Sequence, residues 1–204
     1  MSLEKEIKHN CPHCNEEQTL SFYNSVNVTI EPNLKNRVLN GKLNSQICSN
    51  CKKEINIMSG FLYHDMENQL MINFKQDEDP DKLSKSKILN DLKDKGYIYR
   101  NVNSYPELIE KIKLFDLKIN DNIIDKVKAE LLIMLSTSLK EVIGETDDSE
   151  INIFFDEYEK GLFKKKLLFI FFLHPSQIMK IDYNLKKLNQ QDRQKLFDLE
   201  ILRN

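Results

Sequence analysis

The spacing of apolar side chains divides the chain into a β-rich first section and a mixed second one. Between Thr19 and Ile30, apolar residues, mostly β-branched or aromatic, show a partial alternation through Leu20, Phe22, Val26, Val28 and Ile30. Side chains two apart share one face of an extended backbone, so this spacing predicts a half-buried strand. Glu31-Pro32-Asn33 breaks it. Pro32, with its φ preset by the ring, suits the first position of a short helix through Leu39, which Asn40-Gly41 ends. Ile55 to His64 and Gln69 to Phe74 read as the arms of a hairpin turning at Asp65 to Asn68. Gln76 to Lys82 is an acidic, proline-containing break, and it sets the expected boundary between a domain at 1–79 and a second at 80–204.

Past the break the period changes. Leu83, Ile88 and Leu92 recur at helical spacing up to Lys95, with Gly96 placed as a C-terminal cap. Tyr97 to Val102 predicts a short strand. Ser104-Tyr105-Pro106-Glu107 forms a capping box that opens a helix through Leu117, striped by Leu108, Ile109, Ile112 and Phe115. Asn120 or Asp121 starts the longest helix, to about Val142, with Ile123, Ile124, Val127, Leu131, Leu135 and Leu139 on its core side. Ile151 to Phe155 and Lys166 to Leu173 read as buried strands joined through Glu159-Lys160-Gly161, and His174-Pro175 ends the second. Ile178 to Tyr183 is a further strand and the remainder a terminal helix or two. The expected fold class is α+β: a zinc-ribbon-like β module followed by a mixed helix/strand part.

Composition narrows the function classes. With 40% hydrophobic and 30% charged residues over 204 positions, the chain has the balance of a folded globular protein. Its net charge of -2 lacks the basic excess of a general nucleic-acid binder. Up to Asp79 there are 8 Lys and Arg against 11 Asp and Glu. Five glycines, none in a glycine-rich run, provide no phosphate-cradling loop. The longest apolar run, Leu167 to Leu173, is far too short to span a bilayer, so no membrane association is expected. Met1 to Asn10 is charged without an apolar core segment, so a secretory leader is not expected and the cytoplasm is the expected compartment.

All four cysteines stand in two pairs, Cys11-Pro12-His13-Cys14 and Cys48-Ser49-Asn50-Cys51. Two Cys-x-x-Cys knuckles in one chain read as a structural Zn²⁺ site, because each offers two thiolates at the bite of a tetrahedral ion. Each is expected on a tight turn, with Asn15 and Lys52 in the place that often needs a left-handed backbone. Iron in the same four-sulfur set and two redox-active pairs are the alternatives. His9 and His13 lie close enough in sequence to hydrogen-bond or replace a thiolate. His64-Asp65 suggests a general-base pair, but adjacent residues on a strand face opposite ways. No Ser-His-Asp, Cys-His or paired-carboxylate set can be assembled, so the chain is expected not to be an enzyme.

The knuckles come with further matching segments: Ser25-Val26-Asn27-Val28, Pro32-Asn33-Leu34-Lys35, Gly41-Lys42-Leu43-Asn44 and Leu62-Tyr63-His64-Asp65. With them the chain resembles the CpXC family of bacterial and archaeal proteins, strongly to about Phe74. It does so more loosely through Leu108-Ile109-Glu110-Lys111-Ile112 and Asp121 to Lys128. Ser49 stands where the first knuckle has Pro12, which leaves the ligands intact. The resemblance supports the metal site and implies no activity. The expected function is a non-catalytic interaction module with a protein partner. A nucleic-acid-binding zinc ribbon using Lys35, Arg37, Lys42, Lys52 and Lys53 is the alternative, and a thiol redox sensor the third.

Overall fold

In the computed structural model, residues 1–75, 87–143, 151–161, 165–174 and 177–203 are described. Two compact units divide between Ile109 and Glu110. The boundary expected at 79/80 lies outside the described residues. The later division follows from the strand at Ile98–Val102, which completes the first unit's sheet.

That sheet has five strands in the order β1-β2-β5-β6-β7. They are β1 (Leu3–Asn10), β2 (Glu17–Asn27), β5 (Phe61–Asp65), β6 (Leu70–Phe74) and β7 (Ile98–Val102). β1/β2 and β5/β6 run antiparallel, whereas β2/β5 and β6/β7 run parallel. Two short strands, β3 (Ser45–Ile47) and β4 (Glu54–Asn56), form a separate antiparallel hairpin. The period-two pattern is realised in β5 and β6, where Phe61, Tyr63, Leu70, Ile72 and Phe74 are all buried on one face. Ile98 and Val102 of β7 are buried as well.

α1 (Pro32–Leu39) has the expected limits and buries Leu34 and Val38. The strand before it, β2, begins and ends earlier than its alternation suggests. It ends at Asn27, whose side-chain oxygen accepts the N–H groups of Thr29 and Ile30 at 3.2 Å and turns the chain toward α1. The hairpin arm expected over Ile55 to His64 is broken in two. β4 takes Glu54 to Asn56 as the partner of β3, and β5 begins only at Phe61. β1 escapes the apolar pattern because every residue in it except Ile7 is exposed.

α2 (Lys87–Asp94) ends in a Schellman cap, with Tyr97 N–H on the Leu92 carbonyl and Gly96 at φ +76°. α3 (Tyr105–Asp116) starts at the expected capping box, where the Glu107 N–H donates to Ser104 Oγ. In the second unit, α4 (Asp121–Ile143) is capped by Asn120, whose Oδ1 accepts the Asn122 N–H at 3.0 Å. Its stripe is buried at Ile123, Ile124, Val127 and Leu131. A three-stranded antiparallel sheet follows, in the order β10-β9-β8. It comprises β8 (Asn152–Lys160), β9 (Lys165–His174) and β10 (Gln177–Asn184), and a 3₁₀ turn at Leu185–Lys187 leads to α5 (Gln190–Lys195). Ile153, Phe155, Leu167, Phe169, Phe171 and Tyr183 of the sheet share one core with the α4 stripe and with Leu185 and Leu196. Each fully buried aliphatic or Phe side chain contributes about 1.5–3 kcal/mol, so this core is the main support of the second unit. Among the described residues, no helix is long and apolar enough to cross a membrane.

Candidate metal centre

The four cysteines sit at the tips of two hairpins: Cys11 and Cys14 between β1 and β2, Cys48 and Cys51 between β3 and β4. The two tips have the same backbone. The first cysteine's carbonyl accepts the N–H four residues on, from Asn15 at 2.8 Å and from Lys52 at 3.1 Å. Its N–H donates five residues on, to Glu16 and to Lys53, both at 2.9 Å. Asn15 and Lys52 both have φ of 60°, the left-handed conformation the spacing predicts. Asn adopts it with local polar support, whereas Lys holds it against Cβ crowding.

These turns also aim amide hydrogens at sulfur. His13 N–H donates to Cys11 Sγ at 3.4 Å, and Cys51 N–H donates to Cys48 Sγ at 3.5 Å. Such donors stabilise a thiolate over a thiol. Asn50 Nδ2 reaches Cys14 Sγ at 3.7 Å. Sequence reasoning did not find these donors, because their aim at sulfur depends on the finished turn.

All four sulfurs lie within 4.8 Å of one another. Cys11 to Cys51 and Cys14 to Cys48 are both 3.7 Å. A disulfide would bring two sulfurs to about 2.05 Å, so these pairs are not bonded. A tetrahedral ion about 2.3 Å from each sulfur needs edges of about 3.8 Å, which the Cys11–Cys51 and Cys14–Cys48 edges match. Cys11 and Cys48 are buried with Leu20 and Ile55, and Ile7 and Ile57 pack around them. The site thus has an apolar base.

The electrostatics also suit a cation. The Cys51 N–H holds the Cys48 thiol down at about 6, with the Asn50 N–H assisting and burial opposing. For Cys51 the Lys53 N–H lowers the value, but burial and the sulfurs of Cys48, Cys14 and Cys11 push it up to about 11. One thiolate forms readily, and the last is resisted by its neighbours. A bound cation removes that repulsion and lets all four ionise.

The histidines stand elsewhere. His13 turns its Nε2 to the Glu54 carbonyl at 3.3 Å, tying the first knuckle to β4, and His9 is exposed on β1. His64 Nε2 meets the Tyr97 hydroxyl at 3.1 Å, and burial lowers its pKa. Asp65 is bound separately by Asn68 and, at 3.9 Å, by Lys35, so no general-base pair forms. His174 ends β9. Among the cations considered for nucleic acid, Lys42 pairs with Glu54 at 2.8 Å, and Lys52 Nζ donates to the Ser49 carbonyl at 2.7 Å. Arg37 donates to the carbonyls of Lys42 and Leu43 and lies over the Tyr23 ring. Lys53 is exposed.

An α+β frame with four convergent cysteines on paired knuckles defines a β module with a candidate metal site. The CpXC protein family matches residues 9–128, more than half of the chain, and the chain belongs to that family. The match runs from just before the first knuckle into α4. Among curated proteins and solved structures, none matches the chain.

Proposed function

We propose that the chain is a non-catalytic binding module, its β frame held by a structural Zn²⁺ on Cys11, Cys14, Cys48 and Cys51. The convergence of all four sulfurs within 4.8 Å carries this reading. Four thiolates fill a tetrahedral ion and leave no position for water or substrate. The ion's role is then to join the β3–β4 hairpin to the β1–β2 hairpin. A protein is the partner class this reading favours. Ile47, just before the second knuckle, and Met58, just after β4, are 61% and 56% exposed. The commitment of Lys42, Lys52 and Arg37 to groups within the chain speaks for a protein partner over nucleic acid. Cytoplasmic residence, where thiols stay reduced, fits the same reading.

Metal analysis of the untagged protein tests it. The expected result is one zinc per chain, with a chelator-induced collapse of the first unit. Binding of structural zinc contributes on the order of 10 kcal/mol in small modules. Cobalt substitution should give a tetrahedral four-thiolate spectrum that added cyanide leaves unchanged, since no coordination position is open. A metal-free protein of undiminished stability, or a spectrum that responds to cyanide, overturns the proposal. For the partner, Ile47→Glu with Met58→Glu should keep metal and melting temperature while abolishing capture of any protein partner. Tight, salt-dependent oligonucleotide binding would instead support the nucleic-acid alternative.

A further inference from the structure

The second unit contains a cleft unrelated to the cysteines. Its volume is about 380 Å³, and Gly161, Lys165, Asn184, Leu185, Lys186, Arg193, Leu196 and Phe197 line it. This is within the range of small-molecule sites, roughly 300–1,000 Å³. The cleft lies where β10 gives way to the 3₁₀ turn and α5.

Its floor and its rim differ in chemistry. Leu185 and Leu196 are buried in the core below. Phe197 is 46% exposed, with its ring 5.5 Å from that of Tyr158. A large aromatic half open to solvent beside a cleft is apolar surface that a ligand could cover. Among the described residues, the charged lining residues are Lys165, Lys186 and Arg193, with no carboxylate. One Arg193 nitrogen serves the carbonyls of Lys186 and Leu188, which fixes the guanidinium at the rim. The Asn184 oxygen is likewise committed, accepting the Lys186 N–H.

A second observation points the same way. Lys165 stands directly opposite Lys160 across the β8/β9 ladder. Like charges in register on one face of a sheet repel. Elsewhere this sheet pairs its charges, as in Lys166 with Asp182 at 2.9 Å and Lys180 with Asp156 at 3.2 Å. At the cleft the positive charge has no such compensation among the described residues.

We infer that this cleft binds a small amphipathic anion, its carboxylate or phosphate head on Lys165, Lys186 and Arg193 and its apolar body on Leu185, Leu196 and Phe197. The inference is independent of the metal. Decanoate serves as the probe, titrated calorimetrically into the full metal-loaded chain, with amide shifts mapped by NMR. Saturable binding with shifts at Gly161, Leu185 and Leu196 is expected. Lys165→Gln with Lys186→Gln should weaken it at least tenfold while leaving the melting temperature unchanged. Phe197→Ala should weaken it several-fold. Decan-1-ol binding as tightly as decanoate would overturn the role of the cations. Inorganic phosphate binding as tightly would overturn that of the apolar floor. Absence of saturation into the millimolar range, or unaltered affinity in the lysine variant, would overturn the site itself.

Discussion

The left-handed residue after each knuckle gives the two turns different tolerances. Asn15 accepts φ +60° with little cost, but a Cβ-bearing lysine in that conformation costs about 1–2 kcal/mol relative to its preferred backbone. Lys52→Gly removes the crowding and gives up one exposed bond to the Ser49 carbonyl. It should therefore stabilise the metal-loaded first unit by about 0.5–1 kcal/mol, allowing for the extra freedom glycine has when unfolded. Asn15→Gly should do less. Denaturant midpoints of the two variants decide this, and a destabilised Lys52→Gly protein would contradict the turn geometry. These two positions were legible in the sequence, because the spacing of a knuckle alone sets where the chain must double back. The aim of the amides at sulfur was not, since it depends on the finished turn.

Among the elements, the junction of α3, α4 and β8 is the most demanding. Glu110 is 1% exposed, and its carboxylate takes the Phe155 N–H at 2.6 Å and Lys128 Nζ at 2.8 Å. The β8/β9 register shifts between Phe155 and Glu157. Asp156, set into that irregularity, is held by Lys113 at 2.8 Å and Lys180 at 3.2 Å. The bulge thus has a carboxylate on its backbone and two lysines on its side chain. Glu110→Ala should cost about 3 kcal/mol, because it strands a partly buried ammonium and a buried N–H. Restoring much of that loss with Glu110→Leu plus Lys128→Met would separate the unpaired charge from the lost packing. A loss under about 1 kcal/mol for Glu110→Ala would show the network to be dispensable.

Asp156 also sets a pH dependence. The Lys113 hydrogen bond, aided by Lys180, holds its carboxyl below the ordinary 3.8. Its folded value is depressed, so its contribution is fully present above 3.8 and disappears as pH falls through the folded value. Acid titration of the second unit should show a loss of stability in that window which Asp156→Asn lacks. An identical profile in the two proteins would remove Asp156 from the account.

At this scale the sequence is informative where a side chain faces the core and silent where it faces water. α1, the capping box of α3, the Asn120 start of α4 and the cap at Gly96 are all legible from propensity and spacing. β1 is not: its side chains are almost all exposed, and only pairing with β2 makes it a strand. The break after β4 is hidden for a related reason. Ile55 and Phe61 are both buried, so the apolar pattern continues across residues 57–60 where the backbone leaves one hairpin for the central sheet. The convergence of the four cysteines was legible, because they come as two local pairs.

In the first unit as a whole, distant segments must meet before the sheet exists. β2 pairs with β5 in parallel, Asn27 opposite His64, 37 positions apart in sequence. A metal ion at the proposed site would join Cys14 to Cys48, 34 residues apart, a loop that overlaps that excursion from Asn27 onward. Closing a loop scales only as (3/2)RT ln n, so shortening the remaining path saves well under 1 kcal/mol. Prior metal capture should therefore speed refolding no more than a few-fold. The binding energy itself is about an order of magnitude larger than that saving. Most of it must act on the reverse step, provided the ion holds its ligands until the barrier is crossed. Stopped-flow measurements with and without zinc should show unfolding slowed by orders of magnitude and refolding by comparison little changed. A refolding rate raised as much as the unfolding rate falls would place the centre in the folding nucleus. On the loop arithmetic, an ion held at the proposed site would decide how long the fold lasts rather than how quickly it arrives, and the chain's lifetime would become a readout of metal supply.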